Sequence, residues 1–116
     1  MLCHLLKQLA SSSLKTVVVD NASTDDSLVD ALVLADFVIR NDKNRLYAKA
    51  VNQGIEFVRK RDYSKILLLN CDLKLTDDFL KKLIKSKGDI VGPVIRYNKI
   101  WSRGGKLDIE KGIIEQ

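Results

Sequence analysis

The chain has 116 residues, 46% hydrophobic and 30% charged, which suits one soluble domain with one core and excludes an unstructured polymer. Its net charge of +5 is uneven: residues 1–36 carry two Lys against five Asp, whereas residues 37–116 are basic throughout. Apolar runs such as Ile66-Leu67-Leu68-Leu69 are far short of the ~20 residues of a membrane span, and Cys3, Cys71 and the single His4 cannot make a zinc site.

Leu2, Leu5, Leu6 and Leu9 recur at the spacing of an amphipathic helix that ends in Ser11-Ser12-Ser13. Thr16-Val17-Val18-Val19 reads as a buried strand, stopping at the turn-rich Asp20-Asn21-Ala22-Ser23-Thr24. Ser23 and Asp26 have the spacing of a capping box, which predicts a helix with Leu28, Val29 and Leu32 on its inner face. Phe37 to Arg40 is a second short strand, and Asn41 to Tyr47 is a polar loop. The next helix points Val51, Ile55 and Val58 inward, with Lys49, Glu56, Arg59 and Lys60 outward.

Ile66 to Leu69 is the most apolar stretch and is expected to form a central strand ending at Asn70-Cys71-Asp72. Thr76 is placed to cap a helix with Asp77 and Asp78 in its first turn, which favours the helix dipole, and Gly88 closes it. Ile90 to Val94 and Ile100-Trp101-Ser102 are the last strand candidates, and Gly92-Pro93 and Gly104-Gly105 read as turn formers. Alternating helices and apolar strands predict an α/β fold: three α/β/α layers around a mostly parallel sheet, in one domain over residues 1–116.

In such sheets ligands bind beyond the C-terminal strand ends, where this chain has Asp20-Asn21 and Asn70-Cys71-Asp72. Carboxylate and amide oxygens at one edge suit Mg²⁺ or Mn²⁺, or the polar atoms of a nucleotide, and Lys43, Arg45 and Lys49 would add positive charge there. The plainer alternative is that these Asp and Asn residues only start turns and cap helices. No GxGxxG follows the first strand and no GxxxxGK[ST] occurs, so the common dinucleotide and P-loop fingerprints are absent. His4 lies on a Leu-rich helix and Cys71 lies beside Asp72, whose charge disfavours a thiolate, so neither makes a good nucleophile pair. Residues 1–6 lack the features of a signal peptide, so a cytoplasmic address is expected, with a membrane surface as the alternative that the basic charge leaves open.

Val17 to Ser27, VVVDNASTDDS, resembles the VVDNASTDGS segment of family 2 glycosyltransferases of the GT-A fold. Asn44 to Ile55 is similar to that family's N-x-G-[FY]-A-x-A-x-N-x-G-I, and Leu67-Leu68-Leu69-Asn70-Cys71-Asp72 to its LLLNPD, a variant of the D-x-D motif. Ile90-Val91-Gly92-Pro93 resembles the family's next strand, and Gly104-Gly105 the glycines beyond that strand, in the same order. The resemblance implies transfer of a sugar from a nucleoside diphosphate donor to an acceptor hydroxyl, usually with inversion. It implies that Asp20 meets the nucleoside base with Asn21 beside it, and that Asp72 binds Mg²⁺ or Mn²⁺ bridging the diphosphate. Asn70 is implied near the ribose or metal, and Lys49 and Asn52 as weaker donor contacts, Asn52 with a loop-bracing role as its alternative. The cation would neutralise charge on the departing diphosphate.

The chain also departs from the family pattern. Leu46 stands where the family has Gly, so the loop is expected to avoid glycine-only angles, and Cys71 stands where it has Pro. The family's first strand has no counterpart before the Leu-rich helix, and its acidic general base lies in a segment beyond residue 116. The expectation is a truncated GT-A domain that binds donor and metal without catalysing transfer alone. Its unpaired strand edges are then expected to drive self-association or direct pairing of neighbouring strands. Two rivals remain at this point: a regulatory nucleotide-binding module on the same scaffold, and a basic α/β protein contacting nucleic acid. No nucleic acid is expected, because seven scattered aromatics make no stacking platform.

Overall fold

The computed structural model describes residues 1–97, 99–102, 106–108 and 113–115, with side chains through residue 96. The chain divides into two compact units, Met1–Leu75 and Thr76–Gln116.

In the first unit, α1 (Leu2–Ala10) buries Leu5, Leu6 and Leu9, the stripe expected from their spacing. Its end is closed by Ser12, whose N–H and hydroxyl both donate to the Leu9 carbonyl at 2.9 and 2.6 Å. β1 (Val17–Asp20) and β2 (Phe37–Arg40) pair in parallel, with Val17 opposite Phe37 and Asp20 opposite Arg40. Between them, α2 (Ser27–Leu34) packs on α1 and β2 with Ala31 fully buried. The inner face of α2 differs from expectation: Val29, Leu32 and Val33 are 59, 65 and 75% exposed, and the short Ala31 permits the close packing. No capping box forms. The helix starts at Ser27, whose N–H is accepted by Asp25 Oδ1 at 3.1 Å, while the Ser23 N–H turns back to Asp20 Oδ1 at 3.2 Å.

α3 (Tyr47–Arg59) packs on β1, and Gly54 is what brings it close. A Cβ at Gly54 would stand 3.3 Å from Val19 Cγ2, so any side chain there would require Val19 or the helix to give by a few tenths of an ångström. At the other end, the Phe37 and Phe57 rings meet at 5.2 Å and the Arg61 guanidinium lies 3.5 Å from the Phe57 ring centre. Gln8 ties the end of the unit to α1 by exchanging bonds with the Leu75 backbone, 3.0 and 3.1 Å.

The expected central strand is corrected by the structure. Ile66 to Leu69 belongs to no ladder, and Ile66 and Leu68 are 51 and 55% exposed. An apolar run becomes a strand only where a neighbour offers its backbone groups, and among the described residues β1 and β2 pair with each other alone.

In the second unit, α4 (Phe79–Lys85) begins after Asp78, later than a Thr76 cap predicts; the Thr76 hydroxyl donates to Asp78 Oδ1 at 3.2 Å and accepts no helix N–H. Asp78 also pairs with Lys82, one turn on. The helix ends at Ser86 in extended backbone, before Gly88. Ile90 to Val94 is not a strand; β3 (Ile95–Tyr97) starts beyond it and pairs antiparallel with β4 (Lys99–Ser102), which includes the expected Ile100-Trp101-Ser102. β5 (Lys106–Asp108) and β6 (Ile113–Glu115) form another antiparallel pair. Gly104-Gly105 lies outside the described residues. The α/β class therefore holds, with one parallel pair and two antiparallel pairs described.

Candidate functional site

Two loops meet beyond the C-terminal ends of β1 and β2. Asp20 ends β1 and is 5% exposed; its Oδ1 accepts the Ser23 N–H, while its Oδ2 is buried without a hydrogen-bond partner. A buried acceptor without a partner costs free energy, so this oxygen is suited to a donor group brought by a ligand or water. Asn41 follows β2, is 4% exposed, and its N–H donates to the Asp20 carbonyl at 2.9 Å. Ala22, Ser23, Arg40, Asn41 and Asp42 line an open cleft of about 490 Å³ at this edge, a volume within the range of small-molecule sites. A second cleft lies at the opposite ends of the strands, beside Thr16 and Asp36, away from the edge where parallel sheets bind ligands.

Asn21 is half-buried and its amide is engaged with the second loop. Its Oδ1 accepts Asn41 Nδ2–H at 3.2 Å and the Arg45 N–H at 2.9 Å, and its Nδ2 donates to Asn44 Oδ1 at 2.9 Å. Arg45 pairs with Asp42 at 3.2 Å. Lys49 and Asn52 are exposed on α3; it is the neighbouring Gln53 that reaches Asn41. Asn70 and Asp72 are exposed in the segment after Ile66 to Leu69, and the Tyr47 hydroxyl donates to Asn70 Oδ1 at 3.2 Å. That bond brings Asn70 to the start of α3, next to the Asn44–Leu46 loop. No hydrogen bond or ion pair joins Asp72 to Asp20, and no cluster of three or more His, Cys, Asp or Glu occurs among the described residues.

One carboxylate is nevertheless a recognised way to hold Mg²⁺, which keeps waters and takes its remaining oxygens from substrate phosphates. The exposed Asp72, with the Asn70 amide two residues before it, fits that chemistry. Asn41, Asn44, Tyr47 and Gln53 do not stand out as site residues in the sequence. Asn44 opens the motif that ends at Ile55, whereas Asn41 and Gln53 meet across a strand end and a helix, a pairing with no spacing rule.

Leu46 and Ala22 adopt φ of 67° and 65°, the described non-glycine residues with positive φ. The loop thus does enter glycine-favouring angles, contrary to the expectation drawn from the absence of glycine at 46. No described helix is long and apolar enough to cross a membrane. The chain matches no curated protein and no solved structure. A family model described as Glycosyl transferase family 2 matches residues 1–108, most of the chain and all of both loops. The chain therefore belongs to glycosyl transferase family 2.

Proposed function

We propose that this chain binds the nucleoside diphosphate of a sugar donor at the cleft beside Asp20, as the donor-binding part of a sugar-transfer reaction to an acceptor hydroxyl. The observation that carries the reading is the buried, unpartnered Oδ2 of Asp20 at the C-terminal edge of a parallel strand pair. In this reading Asp20 accepts a hydrogen bond from the base, with Asn21 beside it. Asn70 faces the ribose or the metal, and Lys49 and Asn52 add contacts to the donor. Asp72 holds Mg²⁺ or Mn²⁺ against the diphosphate, where the cation offsets charge on the leaving group. No acid–base role is assigned to any residue.

Calorimetry with UDP, GDP and dTDP, each with and without Mn²⁺, tests this. One of the three should bind saturably and more tightly with Mn²⁺. Asp20→Asn keeps the acceptor for the Ser23 N–H yet presents an amide where a carboxylate oxygen was, so affinity should fall about tenfold or more. Asp72→Ala should remove the Mn²⁺ increment and leave metal-free binding in place. Absence of binding for all three nucleotides would refute the reading.

A further inference from the structure

Four amide side chains tie the two loops of the cleft to α3. Asn41 and Gln53 exchange two hydrogen bonds: Asn41 Nδ2 donates to Gln53 Oε1, and Gln53 Nε2 donates to Asn41 Oδ1, both at 2.9 Å. The second Asn41 Nδ2 hydrogen goes to Asn21 Oδ1, which also accepts the Arg45 N–H. Asn44 Oδ1 in turn accepts Asn21 Nδ2–H and, at 2.8 Å, the Leu46 N–H. Both carbonyl lone pairs of Asn21 and of Asn44 are thereby used.

The placement of this network separates it from ordinary loop bonding. It joins four pieces of chain: the end of β1, the end of β2, the Asp42–Leu46 loop and the middle of α3. The two residues with positive φ are both attached to it, since Ala22 follows Asn21 and Leu46 donates to Asn44. Strained backbone persists only where its surroundings over-determine it. Here the amides supply that constraint. Asn41 and Ala22 also line the cleft, whereas Gln53 stays out of it, so the network runs from the cleft wall back into a helix.

We propose that Asn21, Asn41, Asn44 and Gln53 are the positioning residues of the donor site, with Gln53 as the anchor. They hold the Asn21–Ser23 loop and the Asp42–Leu46 loop at a fixed spacing on either side of the Asp20 carboxylate. This rests on the donor-binding reading above. A preformed cleft spends less binding free energy on ordering its loops, so the network acts on affinity by fixing the loops before the ligand arrives.

The test uses three variants of the whole chain. Gln53→Met keeps the side-chain length and deletes both bonds to Asn41. The swap Asn41→Gln with Gln53→Asn restores an amide pair of the same total length. Asn44→Ala breaks the network at its exposed end, removing the bonds to Asn21 Nδ2 and the Leu46 N–H. Nucleotide affinity by calorimetry is read beside amide exchange of Arg45 and Leu46, at a temperature where every variant is folded. Gln53→Met and Asn44→Ala should speed exchange at both amides and weaken nucleotide binding about tenfold, and the swap should recover most of the loss. Wild-type affinity in Gln53→Met and Asn44→Ala, with the parent chain binding nucleotide, overturns the positioning role. A parent chain that binds no nucleotide removes the donor-site reading itself, and the positioning role with it.

Discussion

Leu46 adopts φ 67° and ψ 159°, a region that glycine enters freely and a side chain with a Cβ enters only under strain of about 1–3 kcal/mol. Its side chain gains little in return, being 71% exposed. What holds the backbone there is the Asn44 side-chain carbonyl oxygen accepting the Leu46 N–H, immediately before α3 begins at Tyr47. Leu46→Gly keeps that bond and relieves the strain, at the cost of about 0.5–1 kcal/mol of extra freedom in the unfolded chain. The balance favours the variant by roughly 1 kcal/mol. Scanning calorimetry should show the melting temperature rise by a few degrees. A lower melting temperature would mean that the Leu46 side chain stabilises the loop in a way its exposure does not reveal.

At the scale of elements, the pairing of β1 with β2 is fixed at its start by one side chain. Asp36 accepts Lys15 Nζ–H at 2.9 Å, and its Oδ2 accepts the Thr16 N–H and hydroxyl at 2.8 and 3.0 Å. The Asp36 N–H donates back to Thr16 Oγ1 at 3.0 Å, and the first ladder bond, Phe37 N–H to the Thr16 carbonyl, comes at the next residue. Lys15, then the Thr16 donors, hold the Asp36 carboxyl at about 2, below its ordinary 3.8. Because the folded value is the lower one, the stabilisation is complete above the ordinary value and is lost as pH falls from about 4 to about 2. Urea melts across that interval should lose part of their pH dependence in Asp36→Asn. Some slope will remain, since Asp25, Glu56 and Asp78 are held low by their own partners, Ser27, Arg59 and Lys82. An unchanged slope would mean that Asp36 is not the group that locks this register. Elements whose cause is local could be read from the sequence: the Leu stripe of α1, the β-branched run of β1 and the presence of α3, although Ile55, expected inward, is 39% exposed. Ile66 to Leu69 could not, because a strand needs a partner and no property of the run itself supplies one. The same contrast holds at the site. Asp20 and Asn70 stand out as acceptors at segment ends, while the Asn41–Gln53 pair exists only once β2 and α3 are folded beside each other.

The first unit is thinly packed for the number of apolar residues it carries. Among the described residues only Leu5, Leu6, Leu9 and Ala31 are buried hydrophobics, and no large side chain is fully enclosed. The parallel pair β1–β2 has no further strand on either side among the described residues, and Ile66 to Leu69 joins no ladder. Two parallel strands alone are marginal, and unpaired edges with exposed Ile66 and Leu68 invite another chain to add backbone bonds and apolar cover. We propose that the chain self-associates through these edges. Opposing this is the net charge of +5, whose repulsion between copies is screened by salt. Association should therefore grow with both protein concentration and ionic strength, the reverse of what a salt-bridged interface would do. Light scattering over a concentration series at low and high salt measures both dependences. Leu68→Lys places a charge on the unpaired run and should shift the population toward monomer while leaving the folded monomer intact by circular dichroism, because Leu68 is 55% exposed and contributes little to the core. A monomer that stays monodisperse at every concentration and salt would sink the idea, and the exposed apolar run would then have to be satisfied by water alone.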